Sequence, residues 1–376
     1  MSARDRLLAT LEGRTVDRFP VAAPYLMLLQ QDHWCELTGE PAWTWYGWLI
    51  QDPSEHVRAY GGYLEQLPFD ILQPQMAPTR ERRQALEVVE RDGQHFYHDR
   101  RTGELIWLNE DLANANPGAH ETRTVWDRAD VDRLVKIVPA QELIERGDYD
   151  FITEAARQYG REYFVMNGVI GVFYQCVWYV GETNLFSMLY EEAALIEYLQ
   201  HRLLEKAIEE IRALARAGVD AIYIDDALAT CDMISPAHYE RFSLPYMRAM
   251  VEEIHRLGKS AVLIYFGGIA DRLETILSLG ADALSCETSM KTYTNDLAQF
   301  AKVADGRTCL WGNLDPVAVV QNGSEAELRA AMAAQVAVGR EAGRFIISTG
   351  SPITPLTSLA RIRRFIELGW ELGGKS

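Results

Sequence analysis

The 376-residue sequence lacks the features typical of secreted, membrane-spanning and metal-clustered proteins. Its five cysteines are scattered without a CxxC pair, which excludes a disulfide framework and is typical of a reducing compartment. The N-terminus has no charged-then-apolar leader pattern. No apolar run approaches the ~18 residues that a transmembrane helix needs. We therefore expect a cytoplasmic protein with no membrane partner.

Positive charge is also scarce. The 37 Lys and Arg residues stand against 54 Asp and Glu residues, which gives a formal net charge of −17. Such an excess of negative charge repels phosphate backbones, so we expect no nucleic-acid partner. The GxGxxG, Walker A and HExxH patterns are absent as well, so the sequence shows no dinucleotide, P-loop or zincin motif.

What the sequence does contain is a regular alternation of short apolar strands and helices. We predict strands at residues 21–25, 69–73, 163–168, 219–224, 261–266, 282–286, 307–312 and 344–348. Eight repeating βα units predict a closed (β/α)8 TIM barrel of the α/β class. We expect residues 1–376 to form a single domain. Asp92-Gly93, between two β-patterned runs, predicts a β-hairpin or meander inserted near residues 85–110.

Four chemically active side chains follow the predicted strands. Asp225 and Asp226 end the fourth strand, Tyr265 ends the fifth and Glu287 ends the sixth. Strand ends form the C-terminal mouth of such a barrel, where the chemistry is done. Buried acids are costly unless they are used or hydrogen-bonded. We therefore predict that these four residues are catalytic, as proton donors or hydrogen-bond donors, with packing and loop capping as the alternative roles.

A second set of polar and aromatic side chains is predicted to bind the substrate. These residues follow strands one, three, seven and eight, and they are Tyr25, Asn167, Tyr174, Asn313 and Ser351. Aromatic side chains around a barrel mouth favour a flat apolar ligand, whereas the alternative is ordinary core and loop packing. Gly267-Gly268 after strand five allows the backbone to approach a ligand closely.

Four segments resemble motifs of the uroporphyrinogen decarboxylase superfamily. Residues 312–316 read GNLDP, which is that family's signature, and residues 17–20 read DRFP, which is similar to its DRxP motif. Residues 234–246 resemble its SPxxFxEFxxPY pattern, and residues 349–355 resemble its GHGIxPxTP segment. The resemblance implies a (β/α)8 barrel with the site at its C-terminal face.

The residues that the resemblance assigns to the decarboxylases themselves are missing. Residues 25–29 stand where an RQAGR segment holds the substrate's carboxylates, and residues 73–75 (QPQ) stand where an aspartate follows strand two. Ser351 occupies the position of a histidine. Without those arginines, an eight-carboxylate substrate is electrostatically disfavoured in a chain of net charge −17.

The resemblance to the superfamily's corrinoid-dependent methyltransferases fits better. Many of these bind zinc through His-x-Cys after strand five and Cys after strand eight. Tyr265, Gly267 and Ser351 stand at those positions here, so we expect no metal there.

The activity that this resemblance implies is methyl transfer to cob(I)alamin from a small donor, with O-demethylation of a methoxylated aromatic as the favoured reaction. The cobalamin would be free or on a corrinoid carrier protein, because the chain has no DxHxxG motif. A homodimer is left open. Two alternatives remain: a cobalamin-independent barrel decarboxylase or lyase acting on a small acid, and a non-catalytic ligand-binding barrel.

Overall fold

The computed structural model of the protein describes residues 1–112 and 122–374. Its strands are β1 (Ile71–Leu72), β2 (Leu86–Arg91), β3 (Gln94–Asp99), β4 (Leu105–Trp107), β5 (Phe164–Ile170), β6 (Ala221–Asp225), β7 (Ser260–Tyr265), β8 (Ala283–Cys286), β9 (Cys309–Trp311) and β10 (Phe345–Ile346). Its helices are α1 (Ala3–Leu11), α2 (Leu26–Asp32), α3 (Trp34–Thr38), α4 (Thr44–Leu49), α5 (Pro53–Gln66), α6 (Arg80–Ala85), α7 (Arg128–Leu134), α8 (Ala140–Arg146), α9 (Asp150–Tyr159), α10 (Val172–Gln175), α11 (Val177–Val180), α12 (Glu182–Glu191), α13 (Ala193–Ala217), α14 (Pro236–Phe242), α15 (Leu244–Arg256), α16 (Leu273–Leu277), α17 (Leu297–Ala304), α18 (Glu325–Ala342) and α19 (Leu359–Gly373). A 3₁₀ turn (Ala270–Arg272) and a π-helical segment (Pro316–Gln321) complete the described elements.

Seven strands form one parallel sheet in the order β1-β5-β6-β7-β8-β9-β10. The eighth position is filled by the extended chain around Val21, which forms a parallel bridge with Ile347 just after β10. The carbonyl oxygen of Val21 also accepts a hydrogen bond, 3.0 Å long, from the backbone N–H of Asp70, directly before β1. The sheet therefore closes on itself, and the predicted eight-stranded α/β barrel is confirmed.

The first predicted strand, residues 21–25, is shorter in the structure than the apolar pattern indicates. Pro20 and Pro24 flank it, and proline offers no N–H to a strand ladder. Tyr25 then takes a left-handed backbone conformation, with φ 55° and ψ 50°, directly before α2. Few non-glycine residues adopt this conformation, and it turns the chain sharply at the mouth of the barrel.

A buried network of charges holds the seam where the barrel closes. Asp70 is only 1% exposed. Its carboxylate accepts hydrogen bonds from Arg6 Nη1 at 2.6 Å and from Arg18 Nη1 and Nη2 at 2.7 and 2.9 Å. It also accepts the backbone N–H of Val21 at 2.7 Å. Asp17 binds Arg6 from the other side at 2.7 Å, so the segment that resembles the DRxP motif serves to dock the first strand.

The inserted meander is also confirmed. Strands β2, β3 and β4 form a separate antiparallel sheet in sequence order. Its first hairpin turns at Asp92 (φ 52°) and Gly93 (φ 74°), and positive φ at both central residues is the conformation that an Asp-Gly pair favours.

The helices form the outer layer around the parallel sheet. The 25-residue α13 ends at Gly218, whose φ of 93° is a backbone conformation that suits glycine and terminates the helix before β6. The sequence pattern of residues 236–257 predicts one helix, whereas the structure has two, α14 and α15, separated at Ser243. Pro245 lacks the N–H that a continuous helix would need, and it lies instead in the first turn of α15. Among the residues placed by the structure, no helix is both long enough and apolar enough to cross a membrane.

Neutralising Asp70 is expected to weaken the seam. The Asp70→Asn variant leaves the guanidinium groups of Arg6 and Arg18 without their buried counter-charge, and breaking a buried pair in this way costs about 3–5 kcal/mol. The thermal unfolding midpoint should therefore fall by several degrees in calorimetry. Glu12→Gln, which breaks an exposed pair with Arg14, is the matched control and should leave the midpoint unchanged. Equal midpoints for Asp70→Asn and the unsubstituted chain would contradict this role.

Candidate active site

Two adjacent acids at the end of β6 point to opposite faces of the sheet, as successive strand residues do. Asp225 is 4% exposed and its Oδ2 accepts a hydrogen bond from the hydroxyl of Tyr25, across the barrel. The ring of Tyr25 lies edge-on to Tyr223, with centroids 5.6 Å apart, and 5.8 Å from the ring of Phe266. Asp225 therefore faces the barrel interior at the mouth, among aromatic rings.

A row of buried polar atoms on the same face has no hydrogen-bond partner. Asp225 is in register with Ile264, Ile264 with Ser285, and Ser285 with Trp311, so these side chains share the interior face. Within the described residues, Asp225 Oδ1, Ser285 Oγ and Trp311 Nε1 are all buried and unpaired. Buried polar atoms in proteins are nearly always paired. This row therefore offers a carboxyl oxygen, a hydroxyl group and an indole N–H to the polar atoms of a ligand.

The environment of Asp225 keeps its carboxyl group partly protonated at neutral pH. Burial raises the pKa of Asp225 to about 7, the hydrogen bond from Tyr25 opposes that rise, and the nearby Asp226 adds to it. Burial and the charge of Asp225 raise the pKa of Tyr25 well above its usual value, so the phenol stays a hydrogen-bond donor. A carboxyl group that titrates near 7 is matched to general-acid chemistry at neutral pH.

Asp226 lies on the outer face of the same strand end. It is fully buried, and its Oδ2 accepts a hydrogen bond from the hydroxyl of Ser243 at the break between α14 and α15. A Cβ at Gly171 would lie 2.7 Å from Asp226 Oδ1, so only glycine allows this approach. Burial raises the pKa of Asp226 to about 6, and the bond from Ser243 opposes the rise. Asp226 thus fixes the strand end from outside, and its predicted catalytic role stays a prediction.

Tyr265 also faces the helix layer. It is fully buried, and its hydroxyl lies 3.0 Å from the hydroxyl of Tyr239 on α14. Its neighbour Ile264 occupies the interior row, so alternation along β7 directs Tyr265 outward. Burial and the adjacent Tyr239 raise its pKa well above the usual value. The structure does not bring Tyr265 into the group around Asp225.

A second carboxyl centre lies at the ends of the sixth and eighth barrel strands. Glu287 is half-buried, and it accepts hydrogen bonds from the hydroxyl of Tyr293 at 3.1 Å and from the side chain of Ser351. Burial raises the pKa of Glu287, both hydrogen bonds oppose the rise, and the charges of Asp232 and Asp315 add to it. Of the predicted residues, Glu287 and Ser351 are therefore brought together.

Asn313 supports this second centre through hydrogen bonds to the backbone. Its Nδ2 donates to the backbone oxygens of Glu287 at 3.4 Å and of Asn295 at 3.1 Å. The side chain of Asn295 donates to the oxygen of Glu287 as well, at 3.0 Å. The residues of the GNLDP-like segment thus hold the loop that carries Glu287.

The two remaining predicted residues differ in their surroundings. Tyr174 is half-buried and close enough to Asp225 for its pKa to be raised, first by burial and then by that carboxylate. Its ring lies 6.3 Å from that of Trp178. Asn167 is 2% exposed, and its amide donates to the backbone oxygen of Pro74 at 2.7 Å and accepts from the next backbone N–H. Tyr174 joins the Asp225 group, whereas the amide of Asn167 is occupied by the backbone.

Sequence reasoning missed several participants. Ser243 is delivered to Asp226 by the helix break, and Pro245 two residues later is the pattern that could have revealed it. Tyr293 lies in a loop without periodicity, so nothing in the sequence singled it out. Phe266 follows Tyr265 directly and is the residue of that pair whose ring contacts Tyr25.

The three positions at which the resemblance places zinc ligands do not assemble a donor set. Tyr265 is directed towards Tyr239, Gly267 has no side chain, and Ser351 is bound to Glu287. In residues 1–112 and 122–374, no group of three or more His, Cys, Asp or Glu side chains is arranged to hold a metal ion. The residues present therefore do not fit zinc at this position.

The fold and the site define a (β/α)8 barrel with carboxyl groups at its C-terminal mouth. The family model for uroporphyrinogen decarboxylase (URO-D) matches residues 114–371. That match covers more than half of the sequence, and the chain belongs to the URO-D family.

Individual relatives are more distant. The methylcobamide:CoM methyltransferase MtbA of Methanosarcina mazei is 27% identical over 214 residues, which cover 56% of this chain and 59% of that protein. Uroporphyrinogen decarboxylase of Tolumonas auensis is 27% identical over 267 residues, which cover 67% of this chain and 71% of that protein. The chain thus spans about three-fifths of the length of the MtbA relative. The solved structure of a methyltransferase from Methanosarcina mazei superposes with a TM-score of 0.68 at 19% identity, covers 99% of both chains, and shows the same fold.

Removing the Tyr25 hydroxyl is expected to raise the pKa of Asp225. The Tyr25→Phe variant deletes the donor that favours the carboxylate, so the Asp225 carboxyl should titrate above 7. Infrared difference spectroscopy of the protonated carboxyl band, assigned with Asp225→Asn, measures this shift. Tyr198→Phe removes a comparable donor to Asp132 and is the matched control, which should change nothing at Asp225. An unchanged or lowered pKa in Tyr25→Phe would refute the pairing.

The raised pKa of Asp225 also predicts a pH-dependent stability. Between the ordinary aspartate pKa of 3.8 and about 7, the folded chain holds a proton at Asp225 that the unfolded chain has released. Stability therefore falls as pH rises through this window, by up to about 1.4 kcal/mol per pH unit. In Asp225→Asn this contribution disappears. The unfolding midpoint of the variant minus that of the unsubstituted chain should rise from pH 4 to 7 and then level off, and a flat difference would count against the assignment.

Proposed function

We propose that the protein is a corrinoid-dependent methyltransferase that takes a methyl group from a small donor, and that this donor is a methoxylated aromatic compound. The observation that carries the proposal is the buried, unpaired Oδ1 of Asp225 at the barrel mouth, on a carboxyl group whose pKa is raised to about 7. Membership of the URO-D family and the similarity to MtbA support methyl transfer in the presence of a corrinoid.

The aromatic rings around Asp225 support a flat donor. Tyr25 binds the carboxyl group, its ring packs against those of Tyr223 and Phe266, and Tyr174 lies near Asp225 as well. Rings of this kind pack well against a planar substrate, because offset and edge-on contacts both stabilise aromatic pairs. A methoxyarene bound there would present its ether oxygen to the interior row of unpaired polar atoms.

The chemistry of demethylation requires an acid at that oxygen. Breaking the methyl–oxygen bond leaves both bonding electrons on the oxygen, and a proton delivered from Asp225 Oδ1 makes the leaving group a neutral phenol. The hydroxyl of Tyr25 then stabilises the carboxylate that remains. Cob(I)alamin, brought by a partner, would supply the nucleophile that accepts the methyl group. A general acid of this kind contributes typically 10²–10⁴-fold to a rate.

The direction of transfer follows from the missing zinc donor set. The MtbA relative is named for methyl transfer between a methylcobamide and CoM, which is a thiol. Tyr265, Gly267 and Ser351 stand at the zinc-ligand positions, and these residues do not fit the zinc that the resemblance associates with thiol activation. We therefore place this chain on the methyl-donor side of the exchange, where an acid serves the leaving oxygen.

Exposed apolar side chains on the strand-end loops support a protein partner that carries the corrinoid. Met76 follows β1, Trp178 follows β5, Met290 follows β8 and Leu356 follows β10, with exposed fractions of 44, 40, 55 and 83%. All four follow the carboxyl ends of barrel strands, and exposed apolar groups on one face are typical of protein–protein contact sites. A corrinoid carrier docked on this rim would place its cofactor over the mouth of the single barrel domain.

The proposal is tested by anaerobic incubation with cob(I)alamin, with and without a corrinoid carrier protein, and a panel of methoxybenzoates, methylamines and methanol. We expect loss of the cob(I)alamin absorbance and release of the phenol with a methoxybenzoate. Asp225→Asn should lower the rate about 10²–10⁴-fold. This loss should be smaller for donors whose phenol leaving group is more acidic, because such a leaving group needs less protonation. Glu240→Gln, an exposed acid on α14, is the control and should react as the unsubstituted chain does.

The outcomes separate the parts of the proposal. Reaction with methanol or a methylamine alone would support methyl transfer and overturn the aromatic donor. No reaction with any donor would overturn both and favour a cobalamin-independent lyase or a binding protein.

A further inference from the structure

A cavity lies among the helices that precede β1. It measures about 320 Å³ and lies between α2, α3, α4 and α5. Its walls include four aromatic side chains, those of Trp34, Trp48, Tyr60 and Tyr63. The size is at the lower end of the range for small-molecule sites, which suits a single substituted ring.

The aromatic side chains of the wall pack against their neighbours, and Trp48 stacks on His56 with the ring centroids 3.8 Å apart. The two indole rings of Trp34 and Trp48 lie 5.0 Å apart between centroids. Their N–H groups are already used, because Trp34 Nε1 donates to Thr44 Oγ1 at 2.8 Å and Trp48 Nε1 donates to the backbone oxygen of His56 at 2.9 Å. What remains available to a ligand is apolar and polarisable surface, which favours an aromatic ring.

Two buried polar atoms belong to residues that line this cavity and have no partner among the described residues. Gln30 is 4% exposed and Tyr63 is 6% exposed, and Gln30 Oε1 and the Tyr63 hydroxyl are both unpaired. Burial raises the pKa of Tyr63, so the hydroxyl remains a donor. Unpaired buried groups cost free energy that a hydrogen-bonding ligand recovers. The pair offers one acceptor and one donor.

A cationic side chain also lines the cavity. Arg58 lies on α5, is exposed and lines the cavity, and within the part of the chain that is described it forms no hydrogen bond or ion pair. A guanidinium group binds a carboxylate through two parallel hydrogen bonds. Its charge is complementary to an anionic substituent on a ring held by the tryptophans.

We propose that this cavity binds an aromatic carboxylate of the size of hydroxybenzoate. The ring lies against Trp34 and Trp48, the carboxylate binds Arg58, and the ring hydroxyl is satisfied by Gln30 Oε1 and the Tyr63 hydroxyl. This site is separate from the barrel mouth and does not rest on the proposed methyl transfer.

The charge requirement is tested by calorimetric titration with 4-hydroxybenzoate and with its neutral isostere 4-hydroxybenzamide. We expect the carboxylate to bind the unsubstituted chain saturably. The amide should bind this chain ~10- to 100-fold more weakly, as for the loss of a charge-assisted hydrogen bond. The carboxylate should bind Arg58→Gln more weakly by the same factor. Arg91→Gln, at an exposed arginine in the meander, is the matched control and should bind as the unsubstituted chain. Absent binding, or equal binding of acid and amide, would overturn the proposal.

The location is tested by filling the cavity. Gly62 lies in α5 and lines the cavity, and a Cβ there meets no atom within 4 Å, so the first atom of a larger side chain is accommodated in Gly62→Leu. We expect this variant to lose binding of 4-hydroxybenzoate while its unfolding midpoint stays level or rises, since glycine weakens a helix interior. Glu65→Leu, exposed on the same helix and outside the cavity wall, is its control and should bind normally.

The two sites are distinguished by exchanging the variants. The Asp225→Asn variant, which keeps Arg58, should bind 4-hydroxybenzoate with unchanged affinity. If this variant lost binding, the ligand would lie in the barrel mouth, and this proposal would be overturned. Arg58→Gln and Gly62→Leu should leave methyl transfer unchanged. Failure of the second site and failure of the methyltransferase proposal therefore give different patterns.

Discussion

Closure of the barrel at Asp70 is the contact on which the geometry of the mouth depends. Asp70 binds the backbone N–H of Val21 and the side chains of Arg6 and Arg18, and thereby fixes the short first strand between β1 and the chain after β10. Tyr25 follows Val21 by four residues and reaches Asp225 only because this strand is in place. A charge network at one end of the barrel thus positions a phenol at the other.

The second constraint is the pair of acids at the end of β6. Two adjacent carboxylates facing the same cavity would repel each other strongly, and strand alternation sends them to opposite faces. Asp225 receives a phenol inside the barrel, and Asp226 receives the hydroxyl of Ser243 outside it. Each acid keeps one oxygen unpaired, but only that of Asp225 belongs to the interior row with Ser285 and Trp311. We therefore assign a chemical role to Asp225 and a structural role to Asp226.

Much of the fold could be predicted because it depends on local pattern. Apolar runs ending in polar turns identified all eight barrel strands, and Asp92-Gly93 identified the meander. The family could be recognised because two of its motifs make specific contacts. Residues 312–316 hold the loop that carries Glu287, and residues 17–20 hold the seam where the barrel closes. Local pattern failed where proline intervened, at the shortened first strand and at the break before Pro245.

The site was less predictable because its contacts are long-range. Asp225 and Glu287 were selected as strand-end acids, yet nothing in the sequence says that Tyr25 crosses the barrel to Asp225, or that Tyr293 returns to Glu287. Tyr265 faces outward because its neighbour Ile264 is the residue of β7 that is in register with Asp225. This register is set by the closed sheet and cannot be read from the sequence of one strand. The cavity at Trp34 and Trp48 belongs to helices whose mutual packing the sequence pattern does not specify.

The central claim is that Asp225 holds a proton at neutral pH for delivery inside the barrel. The most direct measurement is the titration of its carboxyl carbon by NMR in protein labelled with ¹³C-aspartate, with the resonance assigned by its absence in Asp225→Asn. We expect a pKa of about 7 for Asp225. A pKa near the ordinary aspartate value of 3.8 would contradict this claim, since the group would then have no proton to give.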